Sequence, residues 1–178
     1  ERKLLWGSEK PTHAMLPPAR YLVIVGRAVG GVALFAYDVP AKVVAGRLLD
    51  PDGTPFADLN VMSIDDCQSV SAGFWPKRGL VVICARHGGN RLQIVRNDNT
   101  LALPHEGVPV GQPFRAAGPM SITFDSQDSM VLAQYATLRG RDHAIVSRLD
   151  ASLAARIDHY SHASDISGRM SGQIKFLY

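Results

Sequence analysis

The chain holds 178 residues and 19.3 kDa, with 46% hydrophobic, 20% charged and 7% aromatic residues, the size of one domain of ~100–200 residues. That apolar share excludes a disordered polar chain, 16 Gly with 11 Pro are too few for a collagen-like or linker sequence, and two cysteines exclude a disulfide-dense scaffold. Nineteen Lys and Arg against 16 Asp and Glu give a net charge of +3 and a pI near 9.0, a small, dispersed excess that reads as an ordinary solvated surface. The most apolar stretch, Tyr21 to Val39, is broken by Arg27 and Asp38, so no membrane-spanning helix is expected. Because the first residue is Glu and no signal segment precedes it, the sequence is expected to be a processed product or part of a longer chain.

Self-similarity organises the rest. Sliding the sequence by 58 positions lays Leu22-Val23 on Leu80-Val81, Gly30-Gly31 on Gly88-Gly89, and Met62-Ser63-Ile64 on Met120-Ser121-Ile122. In chain order, the first unit is expected to hold strands at His13–Leu16, Tyr21–Val25, Val32–Tyr37 and Lys42–Ala45. The second holds them at Ser69–Trp75, Gly79–Cys84, Arg91–Val95 and Thr100–Leu103. The third starts at Met120–Phe124 and continues in a Met130–Arg148 hairpin turning at Arg139-Gly140-Arg141. Short Val- and Ile-rich runs indicate strands buried on both faces, and Gly-Gly pairs mark hairpins. Asp150–Tyr160 reads either as a helix or as an outer strand. Four strands in each ~50 residues is the arithmetic of a β-propeller blade, with a β-trefoil or β-prism as the alternative. The expected fold is therefore all-β, with about three four-stranded antiparallel repeats at 11–50, 67–107 and 118–160. Residues 161–178 form a tail or the start of a further blade. Three blades do not close a ring of the usual ~4–8, so a further segment or a second chain is expected to complete it.

Local chemistry is sparse. Cys67 follows Asp65-Asp66, which disfavours a thiolate, and Cys84 ends a buried strand; both read as free core thiols suited to a reducing compartment. A disulfide between them would cross a hairpin centred near Lys77 with mismatched offsets. Asp50-Pro51-Asp52-Gly53-Thr54 resembles the opening of a calcium loop, but Val108–Gln112 at the 58-residue offset keeps the Pro and Gly without the acids, so a β-turn is the better reading. His159 and His162 lack a ligand cluster, and there is no phosphate-binding loop, dinucleotide fingerprint or nucleophile elbow. Phe74-Trp75 reads as core, with an exposed stacking platform as the alternative.

Several segments fall in the order seen in one family. They are Val25-Gly26 followed by Val32–Tyr37, then Arg47 and Asp50, Val61–Asp66, Ser71-Ala72-Gly73, Gly79–Cys84, Val110–Phe114 and Met130–Arg148. This order resembles the tandem-propeller proteins of the cleavage-and-polyadenylation specificity factor A type, which include the damaged-DNA-binding adaptor and a splicing-factor subunit. The sequence departs from that pattern at Arg27, where the family usually has an acid, and it shows no C-terminal helical bundle. The resemblance implies a nuclear, non-enzymatic scaffold in pre-mRNA 3′-end processing or splicing, with the cytoplasm as the alternative compartment. Its partners would be other protein subunits and RNA, with no membrane association.

No cofactor, metal or catalytic residue is expected. The loops Arg27–Gly31, His87–Asn90 and Arg139–Asp142 occupy equivalent places in the proposed units. Arg27, Arg86, His87, Arg139 and Arg141 are therefore expected to form one shared basic rim. Two other readings are a lectin-like carbohydrate-binding repeat and a propeller hydrolase or lactonase. The first needs an aromatic at each repeat, whereas Trp75 faces Ala133 at the 58-residue offset. The second needs shared metal-binding residues that the units lack.

Overall fold

Alternation of apolar and polar residues, broken by short Gly-, Asp- and Asn-containing turns, cuts the described residues into twelve strands. The structure, a computed structural model, describes residues 19–110, 115–138, 141–150, 152–153 and 155–162. The first sheet contains β1 (Ala19–Gly26), β2 (Val32–Asp38), β3 (Val43–Leu49) and β4 (Pro55–Ser63). The second contains β5 (Ser69–Trp75), β6 (Gly79–Ala85), β7 (Asn90–Val95) and β8 (Val108–Val110). The third contains β9 (Arg115–Phe124), β10 (Met130–Leu138), β11 (Arg141–Leu149) and β12 (Ala155–His162). Each is an antiparallel sheet whose strands lie side by side in chain order. The all-β expectation holds. Among the described residues the three sheets do not close into a ring.

The sheets stack face to face, with the first strands against one another: β1 on β5 and β5 on β9. One apolar layer, with Phe35, Tyr37, Val44, Leu48, Leu80, Val82 and Cys84, fills the gap between the first two sheets. A second, with Trp75, Val81, Ile83, Leu92, Met130 and Leu132, fills the gap between the second and third. Every residue of β6 is buried, because the second sheet is covered on both faces. Gly73 on β5 seats the third sheet: a Cβ there would stand 2.9 Å from the Phe124 ring.

Several expectations are corrected. The first sheet draws on residues 19–63 instead of 11–50, and His13–Leu16 lies outside the described residues. The 58-residue matches therefore lay β1 on β6 and β2 on β7, which occupy different places in their sheets. In phase, Ala33, Phe35 and Tyr37 of β2 answer to Val81, Ile83 and Ala85 of β6, each trio facing the next sheet. The slip has a simple cause: every hairpin is two apolar runs around a tight turn, so moving by one strand preserves much of the similarity.

Thr100–Leu103 is not a ladder strand. Leu101 makes one bridge to Val95, and the buried Gln93 amide takes over from the missing backbone pairing. Gln93 Oε1 accepts the N–H of Ile94 (2.9 Å) and of Leu103 (3.1 Å), and its Nε2 donates to the carbonyls of Leu103 and Pro104. The fourth strand of this sheet is the three-residue β8. Between Asp150 and Tyr160 the strand reading holds, as β12.

Candidate functional site

In an antiparallel sheet the odd and even hairpins emerge at opposite ends, so sheet order decides which loops can share a surface. The β1–β2 loop carries Arg27, Ala28 and Val29, which line one hollow together with Phe74, Leu80, Arg96, Asn97 and Asn99. This upper end also presents the β3–β4, β5–β6 and β9–β10 loops. The hollow encloses about 10 Å³, room for little more than a single water. It is no pocket for a small molecule, and recognition here would be by surface.

Four upper loops follow one backbone rule: Arg27–Gly31, Asp50–Thr54, Arg96–Thr100 and Asp125–Ser129. In each, the first N–H bonds to the fifth carbonyl and the fourth N–H to the first carbonyl. The fourth residue, Gly30, Gly53, Asn99 or Asp128, is left-handed, the geometry of a type I turn closed by a G1-type bulge. Asp52 accepts the N–H of Thr54 at 2.8 Å and Asp98 that of Thr100 at 3.0 Å. Hydrogen bonds from Thr54 and Thr100 hold both carboxyls below the ordinary aspartate value. Asp50–Thr54 is thus a hairpin turn, in keeping with the β-turn reading.

Cations at this end are held by rings and acids. The Arg27 guanidinium lies 4.6 Å from the Phe56 ring centroid and Arg78 lies 4.4 Å from that of Trp75, each a cation–π contact. Trp75 is fully buried, stacks on Phe124 at 5.4 Å and donates to Asp128 Oδ1 at 2.7 Å, while Lys77 reaches the same carboxylate at 3.4 Å. This cluster pins the β9–β10 turn to the second sheet, and it leaves no open aromatic platform at Trp75. Sequence reading missed Asp128 and Arg96, which no spacing rule links to Trp75 or Arg27.

The lower end holds the β6–β7 loop with Arg86 and His87, next to the β4–β5 connection. His87 Nε2 lies 3.8 Å from Asp66 Oδ2, and Lys42 Nζ lies 3.1 Å from Asp65 Oδ1. The Tyr37 hydroxyl donates to the Ile64 and Asp65 carbonyls at 3.1 and 2.9 Å, and burial pushes its pKa above the ordinary tyrosine value. Cys67 and Cys84 form a disulfide, with Cα atoms 5.6 Å apart, and both are buried in the layer between the first two sheets. The free-thiol expectation is corrected. The ladder pairs Val70 with Cys84 around the turn at Lys77, but Cys67 precedes β5, and this connection folds back over β6 with Gln68 N–H bonded to the Ala85 carbonyl at 2.7 Å. Ladder register therefore does not govern its reach.

The four expected rim residues within the described part of the chain do not form one rim. Arg27 sits at the upper end, whereas Arg86 and His87 sit at the lower end, and Arg141 opens β11 on the lower side. Arg139 lies outside the described residues. The separation follows from the one-strand slip, which equated an upper hairpin with a lower one. Of the expected set, Arg86 and His87 share one loop, and Arg27 is joined instead by Arg96. No three His, Cys, Asp or Glu residues among those described stand close enough to hold a metal ion, and the described residues contain no helix long and apolar enough to cross a membrane. No family model and no curated protein matches the chain.

Proposed function

We propose that the chain is an arc of a β-propeller that works as a non-enzymatic scaffold for protein–protein interaction. One observation carries this reading: three consecutive four-stranded antiparallel sheets, each in plain up-and-down order, are stacked through their first strands. That is the local arrangement of successive propeller blades, and it leaves sheet faces that further sheets would cover. Rigid hairpins projecting from such a stack suit recognition by surface. The resemblance of its segment order to the tandem-propeller proteins supports a nuclear complex of pre-mRNA 3′-end processing or splicing as the setting, with other subunits and RNA as partners. The buried Cys67–Cys84 disulfide favours a second setting for the same scaffold, an oxidising compartment, where such bonds persist.

Two pairs of substitutions test the scaffold reading, Arg27→Ser with Arg96→Ser at the upper end and Arg86→Ser with His87→Ser at the lower. Partners captured by the wild-type chain should be lost with one pair and kept with the other, with unchanged circular dichroism. Capture indifferent to both pairs would count against recognition through these ends. Alkylation of the cysteines during denaturing cell lysis separates the settings, since both are buried in the fold: blocked thiols indicate the oxidising one, and fully labelled thiols the nuclear one.

A further inference from the structure

We infer that the upper hollow between the first two sheets seats a carboxylate, supplied by an acidic peptide segment of a partner protein. This deepens the scaffold reading above and rests on it. Arg27, from the first sheet, and Arg96, from the second, line the hollow together over the apolar side chains of Phe74 and Leu80. Each arginine is the first residue of a five-residue turn whose backbone closes on it. The Arg27 N–H bonds to the Gly31 carbonyl and the Arg96 N–H to that of Thr100, while Gly30 and Asn99 donate back to the arginine carbonyls. The other two turns of this kind begin with Asp50 and Asp125, so the cations take this place only beside the hollow.

Neither guanidinium takes part in an ion pair among the described residues. Arg27 is held instead over the Phe56 ring, 4.6 Å from its centroid, which positions the cation without neutralising it. Asp98 lies within electrostatic reach of Arg96, but its Oδ1 already accepts the Thr100 N–H at 3.0 Å and hydroxyl at 2.6 Å. Asn97 and Asn99 add amide donors to the same lining. Two guanidiniums facing one hollow suit the charge-assisted hydrogen bonds of a carboxylate, and about 10 Å³ admits the tip of one such group and no more.

The surroundings favour a peptide over a nucleic acid. Val29, next to the hollow, is 69% exposed and offers a contact to an apolar residue beside the acid. Bases would need open aromatic faces, whereas Arg27 lies over Phe56 and Arg78 over the buried Trp75. A phosphate backbone would also meet Asp50, Asp52, Asp98 and Asp125 on the turns of the same end, which repel a polyanion. The described chain enters β1 and leaves β12 at the lower end, opposite the hollow.

An NMR titration of the isotope-labelled full chain with the peptide Gly-Ser-Leu-Glu-Leu-Ser-Gly, both ends blocked, tests the assignment. Amide signals of Arg27, Val29, Asn97 and Asn99 should move, and those of Arg86 and His87 should not. Arg27→Gln and Arg96→Gln should each weaken binding about tenfold, the loss of one hydrogen-bonded charge. The peptide with Gln in place of Glu should weaken it equally, and that exchange needs no altered protein, so it decides even where a variant folds poorly. Unmoved signals in both turns, equal binding of the Glu and Gln peptides, or indifference to both arginines would each overturn the assignment. An oligouridylate that binds the same amides more tightly than the peptide would overturn it in favour of RNA. Should it fail while partner capture still depends on the Arg27 and Arg96 pair, the scaffold reading survives; capture indifferent to both ends is the separate failure of that reading.

Discussion

The second sheet and the first are built from the same strand order but differ in what covers them. β6, inside the second sheet, is buried along its whole length, while β1, at the edge of the first, leaves Leu22 and Ile24 more than half exposed. The lesson is that apolar content alone does not decide a strand's contribution: Leu22 and Val82 are both branched aliphatics, yet among the described residues only Val82 has an opposing sheet to exclude water.

Removing Trp75 should give the largest contrast. Trp75→Ala empties a fully buried site that meets Phe124, Arg78 and Asp128, and should cost about 3–5 kcal/mol in urea unfolding. Leu22→Ser, measured in dilute solution, should stay within about 0.5 kcal/mol, as expected away from packed features. A smaller loss comes from overfilling the junction between the second and third sheets. Gly73→Ala drives a methyl to 2.9 Å from the Phe124 ring and should cost about 1–3 kcal/mol, read as a lowered denaturant midpoint.

The smallest effect is electrostatic and confined to the open face of the first sheet. Arg47 donates to Asp58 at 2.5 and 2.8 Å, and the Arg47 hydrogen bond holds the Asp58 carboxyl below its ordinary value. A carboxyl depressed in the folded state adds stability above its unfolded pKa of ~3.9 and loses it as pH falls through the lower folded value. Melting temperature should therefore fall below about pH 4, and Asp58→Asn should flatten part of that slope while lowering stability slightly at pH 7. An unchanged slope would place no weight on this pair.

Strands were the easiest elements to read from residues. Ser69–Trp75 coincides with β5, and Gly79–Cys84 falls short of β6 by one residue, because apolar runs bounded by Gly, Pro and charged turns leave few other options. Sheet phase was harder. The Gly30-Gly31 and Gly88-Gly89 hairpins share a local chemistry, and only the sheet partners of β1 and β6 distinguish them. Gln93 was out of reach for another reason: a lone glutamine in an apolar strand signals nothing until the backbone beside it lacks partners. The same holds for Cys67, whose route to Cys84 depends on a connection folding back.

The shared five-residue rule of the upper loops has an evolutionary consequence. Backbone geometry is set by the first, fourth and fifth positions, while the second and third, Ala28-Val29, Pro51-Asp52, Asn97-Asp98 and Ser126-Gln127, all face solvent. Those four tips behave like interchangeable bits in one chuck. Substitutions there can retune what the rim grips while the strands beneath keep their alignment.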